Sequence, residues 1–318
     1  MSADLLTSER RGILAALGTA FIFGLSFMFT KQAVQTASVY SLLSWRFFTA
    51  CLLLLILRLT GVIRTNYRGK RLTPLLALSL IYPVTYFIAE SKALEAVASM
   101  EAGLFIATLP IVTMILASLV LKERSTRLQK LAVLLSVAGV VVITVLGKEA
   151  GGESKLTGYV FLAAAVLAGS VFVILSKSLS AFTSIEKTLF MMGLGTIVFV
   201  ALAVREHMLA GTLAVWIALP VRNSAFLKSL IYLSVITSAL AFFLQNYSIE
   251  KLGATRNASF APLTTLISIL AGALLMKEPV TPGLLIGAAM ILTGVIGANR
   301  PAKKAGLNPR REGAGVPK

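Results

Sequence analysis

The sequence predicts an all-α membrane protein of ten transmembrane helices, built as two inverted five-helix repeats. Three observations carry that prediction. The 318-residue chain is 57% hydrophobic and only 14% charged, with a mean hydropathy of +0.87, whereas soluble domains carry about 25% charged residues. It divides into ten apolar runs near the length a bilayer requires. The second five runs repeat residues of the first five at a constant offset. A soluble protein this apolar would have little polar surface to show water, so lipid is the solvent that suits it.

A hydrocarbon core about 30 Å thick takes roughly 20 helical residues to cross. Such runs fall at about 12–33, 39–60, 72–95, 98–121, 128–147, 157–178, 187–204, 226–249, 257–276 and 283–299. The first run follows Glu9, Arg10 and Arg11 and lacks a small-residue cleavage site, so it reads as a retained helix and not a signal peptide. The stretch from Thr212 to Val221 is apolar but too short to span, and Pro220 closes it. It reads as an interfacial helix anchored by Trp216 at headgroup depth. The resulting plan is an N-terminal tail (1–11), a first repeat (12–147), a linker (148–156), a second repeat (157–299) and a basic tail (300–318). The Gly, Pro, Lys and Arg content of that last segment predicts disorder.

The net charge of +17 would suit nucleic-acid binding, but the basic residues sit in short gaps between apolar runs. Membrane orientation explains that placement better. With the N-terminus inside, 21 of the 30 Lys and Arg residues fall in cytoplasmic segments and seven in external ones. Both termini are therefore expected in the cytoplasm, and 148–156 outside, in the cytoplasmic membrane of a prokaryote.

The repeat shows at an offset of 155. Leu94–Ser99 (LEAVAS) matches Ile249–Ala254 (IEKLGA), Phe87 matches Phe242, Lys122-Glu123 matches Lys277-Glu278, and Gly139 matches Gly294. The first helix of each half ends alike, Thr30-Lys31 against Ser176-Lys177. Five is odd, so a second copy of a five-helix unit enters the membrane upside down. Inverted repeats mark secondary transporters, because two similar halves can pack in two mirrored ways.

Several motifs sit on this frame: Phe23–Phe27 (FGLSF) in helix one, Arg46 in helix two, and Ala93–Val97 closing helix three. Pro110 followed by Lys122-Glu123 belongs to helix four, and Gly287–Val295 (GAAMILTGV) to helix ten. In these the chain resembles the EamA-type, ten-helix members of the drug/metabolite transporter superfamily, over residues 12 to about 299. It departs from them at Phe23, where the family usually shows Trp, and at Pro262, one turn early relative to its Lys-Glu. The resemblance implies a central cavity lined by helices one, three, four, six, eight and nine. It also implies alternating access, and substrates such as amino acids, related metabolites or amphipathic drugs, usually exported.

No enzymatic constellation competes with this reading. The chain holds one Asp (Asp4), one His (His207, expected in a loop) and one Cys (Cys51), and no HExxH, P-loop or GxSxG. No catalytic residue, metal site or cofactor is expected. Energy would come from a proton gradient or from the substrate gradient itself, and the oligomeric state stays open. A membrane-embedded enzyme would need clustered catalytic groups. A receptor or assembly protein would carry a sizeable soluble module.

Ionisable groups inside a membrane default to functional candidates. Glu90 shares a helix face with Tyr82 and Tyr86, since steps of four return to one side. Their counterparts at the 155 offset are Gln245, Thr237 and Ala241. Tyr82, Tyr86, Glu90, Thr237 and Gln245 are therefore the expected substrate-binding residues, with Ser26 and Ser170 as small polar positions in helices one and six. A cavity carboxylate at Glu90 could exchange a proton or meet a cationic substrate; a fixed ion pair with Lys92 or Arg46 is the structural alternative. Arg46 reads either as an anion or substrate contact or as an internally paired or snorkelling Arg. Lys92 and Glu95 read as interfacial. Glu101 is expected to pair with Lys92 or to cap helix four, and Glu123 and Glu278 to fix connecting turns. Pro83, Pro110 and Pro262 would each free a mid-helix carbonyl. Gly24, Gly169, Gly272, Gly287 and Gly294 would admit close helix packing.

Overall fold

The structure is a computed structural model and describes residues 2–121, 127–147, 152–252, 257 and 260–298. Among these residues every regular element is helical. The helices are α1 (Ser2–Val34), α2 (Val39–Leu59), α3 (Thr73–Ala96), α4 (Ser99–Ile106), α5 (Leu109–Leu121) and α6 (Arg127–Gly147). They continue with α7 (Gly152–Ser178), α8 (Ser184–Leu209), α9 (Leu213–Arg222), α10 (Ser224–Leu252), α11 (Ala261–Leu275) and α12 (Pro282–Ala298). Seven stretches are long and apolar enough to cross a membrane. They are Glu9–Val34, Val39–Leu59, Thr73–Ala96, Ser99–Leu116, Lys155–Ser176, Ser184–Leu209 and Ser224–Leu252. Shorter apolar stretches occupy α6, α11 and α12. The tail 300–318 lies outside the described residues.

Local chemistry sets the ends. Ser38 caps α2, its hydroxyl accepting from the Ser41 amide at 3.1 Å. Thr183 and Glu186 cap α8 reciprocally. Pro74 opens α3 in its first turn, where a missing amide costs nothing.

Of the three prolines expected to lie mid-helix, Pro83 does kink α3, whereas Pro110 and Pro262 stand at helix starts. The fourth run is broken: α4 stops at Ile106, Ala107 and Thr108 lie between, and Pro110 stands second in α5. A proline ring cannot continue the ladder from the preceding turn, so the helix restarts around it. Pro262 likewise stands second in α11 and not mid-helix. Pro83 lies in a widened π-turn, Leu80–Thr85, where Tyr82 leaves helical geometry at φ −142° and ψ 107°. A second π-stretch, Tyr232–Ala241, widens α10. Shifted by 155, the first stretch falls inside the second. Turns of this kind gather at functional sites.

The short segment after α8 is the helix α9, with no buried residue and with Val215, Ile217 and Val221 exposed. Pro220 lies inside it; it ends at Arg222. The indole of Trp216 donates to Ser44 Oγ and that of Trp45 to the Trp216 carbonyl, each at 3.1 Å. His207 is not in a loop but in the last turn of α8. It reaches Ser41 Oγ and Thr212 Oγ1, each at 2.7 Å, and stacks on Trp216.

The packing partners form a pattern. α2 lies on α8, α6 on α12 and α4 on α11; α3 and α5 lie on α7, while α10 and α11 lie on α1. The α6–α12 contact is reciprocal. A Cβ on Gly139 would come within 2.8 Å of the Gly287 carbonyl oxygen and 2.9 Å of Ile291. A Cβ on Gly294 would strike Ala132 and Ser136. Ala132, Ser136 and Gly139 become Gly287, Ile291 and Gly294 at the 155 offset. Ser136 itself donates to the Ile291 carbonyl at 3.2 Å.

Candidate functional site

Where α3 is kinked, α10 widens and the fourth run breaks, a cleft of about 110 Å³ opens. Its walls come from α1, α3, the α4–α5 break, α7, α10 and the start of α11.

Of the residues expected from sequence, Ser26, Tyr82, Tyr86, Glu90 and Gln245 lie on this wall. Ser170 does not: it is buried beside the lining residue Gly169, and its hydroxyl donates to the Leu109 carbonyl at 3.2 Å. That bond holds α7 against the break. Thr237 is also off the wall, buried with its hydroxyl unpartnered. The Ser26 hydroxyl donates back to the Phe23 carbonyl at 2.8 Å.

The cleft is mainly aromatic. Tyr82 stacks on Phe172 at 4.4 Å, and touches Tyr86 at 4.4 Å and Phe242 at 5.4 Å. Phe87 and Phe242, equivalent at the 155 offset, meet at 5.7 Å. Phe23 stands edge-on to Phe242 at 5.9 Å. Into this apolar chamber Glu90 presents a buried carboxylate. Oε1 receives only a long 3.5 Å bond from the Tyr86 hydroxyl, and Oε2 has no partner. Opposite, the Gln245 amide donates to Asn257 Oδ1 at 3.1 Å, and the Asn257 amide donates to Ser248 Oγ at 2.7 Å.

The remaining charges have other partners. No ion pair joins Glu90 to Lys92 or to Arg46. Lys92 pairs with Glu95 at 3.3 Å, both partly exposed. Glu101 does not meet Lys92; it accepts from Lys155 at 3.2 Å, from the Tyr159 hydroxyl at 3.1 Å and from the Ala98 amide at 3.0 Å. The last is the expected helix cap. Glu278 reaches beyond its own turn to cap α4, taking the Ser99 amide at 2.8 Å, the Ser99 hydroxyl at 2.9 Å and the Met100 amide at 3.2 Å. Lys31 donates to the Leu94 and Val97 carbonyls, each at 2.8 Å, closing the end of α3. Glu123 lies outside the described residues. In the α2–α3 loop, the Tyr67 hydroxyl donates to the Glu186 carbonyl at 2.8 Å, and burial followed by the Glu186 charge pushes Tyr67 up to about 12.

Sequence reasoning missed Phe23, Phe172 and Asn257 as wall residues. An aromatic at helical spacing reads as ordinary core, so Phe172 carries no signal of its own, and Phe23 stands out only as a departure from the family pattern. Asn257 does carry one, as a polar residue near the start of an apolar run. Chemically, the cleft can hold a small amphipathic molecule: aromatic faces for its body, one free carboxylate for a cation or donor, and an amide pair opposite. Among the described residues, no group of His, Cys, Asp and Glu could hold a metal ion.

Comparison with known proteins identifies the family. The model of the EamA-like transporter family matches twice, over residues 10–145 and 156–300. The uncharacterized transporter YcxC of Bacillus subtilis is 33% identical over 297 residues, covering 93% of this chain and 95% of its own. An uncharacterized transporter of Archaeoglobus fulgidus is 25% identical, covering 90% and 97%. A Streptantibioticus cattleyicolor protein named "probable terminal-alkyne amino-acid exporter" is 29% identical over 66% of each chain. A solved crystal structure, 20% identical, superposes with a TM-score of 0.60 over 92% of this chain and 96% of that one. Its likeness concerns the fold alone. With both halves matched by one family model, the chain is a multi-pass membrane protein of the EamA-like transporter family.

Proposed function

We propose that the protein is a secondary carrier that moves small metabolites bearing an amino or other cationic group out of the cell by alternating access. In this reading it crosses the cytoplasmic membrane ten times, as two inverted repeats spanning 12–147 and 157–299, with 148–156 external and both termini cytoplasmic. The paired family matches, the two equivalent π-stretches and the reciprocal α6–α12 contact support the symmetry. So does the exchange of partners between halves: α3 on α7 answers α10 on α1, and α5 on α7 answers α11 on α1. The aromatic chamber with its free carboxylate suits the chemistry of amino acids, related compounds and amphipathic drugs, and one relative is named a probable terminal-alkyne amino-acid exporter. Tyr82, Tyr86, Glu90, Ser26 and Gln245 would contact the substrate. Thr237 and Ser170 would act from behind the wall, supporting the widened helix and the α4–α5 break.

One observation carries the reading: Glu90 is a buried acid facing the cleft with an oxygen that no protein group satisfies. A buried carboxylate without a partner is costly, so a cationic group or a proton must balance it, and exchange between the two would couple transport to the proton gradient. The test is proteoliposome transport by Glu90→Gln across a pH series. The expected variant is folded but has lost pH dependence or preference for cations. Transport unchanged at every pH would remove Glu90 from the mechanism.

A further inference from the structure

Arg46 in α2 is, among the described residues, the largest fully buried side chain, 0% exposed. Its Nε donates to Ser238 Oγ of α10 at 2.8 Å, but Nη1 and Nη2 have no partner. The guanidinium carbon lies 4.2 Å over the ring of Phe87 and 5.8 Å from that of Phe47. Phe87 lines the cleft, so the charge stands one ring's thickness behind its wall. Two more donors nearby in the chain are unpartnered: Thr237, beside Ser238, and Ser91, one turn beyond Phe87. Glu90 is the acid whose charge acts most on Arg46, yet no ion pair joins them. The molecule therefore buries a carboxylate and a guanidinium fork that act on each other through space while no direct ion pair satisfies either.

A purely structural Arg would spend its fork on carbonyls or a carboxylate, because a buried charge left uncompensated is destabilising. The free edge, with two N–H groups side by side, matches a carboxylate in bidentate fashion. The Phe87 face stabilises the cation while no anion is present. Side-chain rotations of this kind are common when a ligand binds.

We propose that Arg46 is the carboxylate subsite of this cleft, reached when the Phe87 ring turns aside, so that Arg46 and Glu90 together select metabolites carrying both a carboxylate and an ammonium group. The proposal rests on the reading of the cleft as the transport site and adds its second pole. A bound zwitterion pairs both buried charges at once. An amine lacking the carboxylate leaves Arg46 unpaired, and an N-acylated acid leaves Glu90 unpaired, so both derivatives are disfavoured against the parent compound.

The experiment uses the full chain in proteoliposomes loaded with an equimolar mixture of the common amino acids, their carboxamides and their N-acetyl derivatives. Mass spectrometry follows what leaves. The wild type is expected to export at least one amino acid about tenfold or more faster than its carboxamide, the penalty of leaving a polar site unpaired. Arg46→Gln should bring that acid-to-amide ratio near one while the amide still moves, and Arg46→Lys should keep part of the preference. Phe87→Leu, which removes the ring covering the guanidinium, should raise the ratio, and it decides the matter if Arg46→Gln fails to fold. Glu90→Gln should alter only the ratio of acid to N-acetyl derivative. The proposal is overturned by a wild type that exports amide as fast as acid or exports nothing in the mixture. It is equally overturned by an unchanged ratio in Arg46→Gln or, where that variant does not fold, in Phe87→Leu. A response to Glu90→Gln with none to Arg46→Gln leaves the transport reading standing without this subsite; the reverse removes Glu90 and keeps Arg46.

Discussion

Glu90 separates a binding role from a structural one through stability as well as transport. Its Oε2 has no partner and no cation contacts it, so Glu90→Gln removes a buried charge that no direct ion pair compensates. We expect a melting temperature equal to or above that of the wild type; a large fall would mark Glu90 as half of a structural pair. The legible part of the site was its helical face. Steps of four put Tyr82, Tyr86 and Glu90 on one side of α3, and they line the cleft together. The same arithmetic does not extend to Thr237, which lies within the π-stretch Tyr232–Ala241 and off the wall. It was silent on Phe23 and Phe172, since an aromatic that lines a cavity and one that fills a core look alike in sequence. Arg46 was visible as a buried charge, but its free fork was not, because partners distant in the chain decide whether a guanidinium is satisfied.

At the scale of elements, the informative features are where helices stop. The apolar runs fell close to the observed helices, yet the break after Ile106 was read as a continuous span. Hydropathy does not register it; Pro110 was the clue, and Ser170 ties α7 to the restart by donating to the Leu109 carbonyl. The α4 start is a second such place. Glu278 holds two backbone amides and the Ser99 hydroxyl there from another part of the chain. Glu278→Ala should cost about 0.5–2 kcal/mol, the usual effect of losing a helix cap, seen as a lower melting temperature in detergent. An unchanged melting temperature would mean that water replaces the carboxylate at no cost. At the other close contact, Gly294→Leu should separate α6 from α12, since even a Cβ there strikes Ala132 and Ser136; the expected result is loss of folded protein on size-exclusion chromatography.

For the whole molecule, the repeat was legible because a single offset of 155 tied residues in several helices, and reciprocal contacts such as Gly139 with Ile291 and Gly294 with Ser136 have the form a two-fold relation would impose. Orientation rests on the distribution of Lys and Arg alone. In a Cys51→Ala background, Ser125→Cys should label only from the cytoplasmic side and Val280→Cys only from outside; labelling of both from one side would contradict the inverted arrangement. Substrate identity was not legible, because a chamber of aromatic rings with one free carboxylate specifies a class of chemistry and not a compound. The central claim is that this chamber opens in turn to each side of the membrane, and one measurement addresses it directly. Ser26 lies on the cleft wall within α1, so Ser26→Cys in the same background places a thiol inside the chamber. Membrane-impermeant reagents added separately to right-side-out and inside-out vesicles should each label it, and each reagent should protect it from the other. Labelling from one side only, under every condition, would contradict the account.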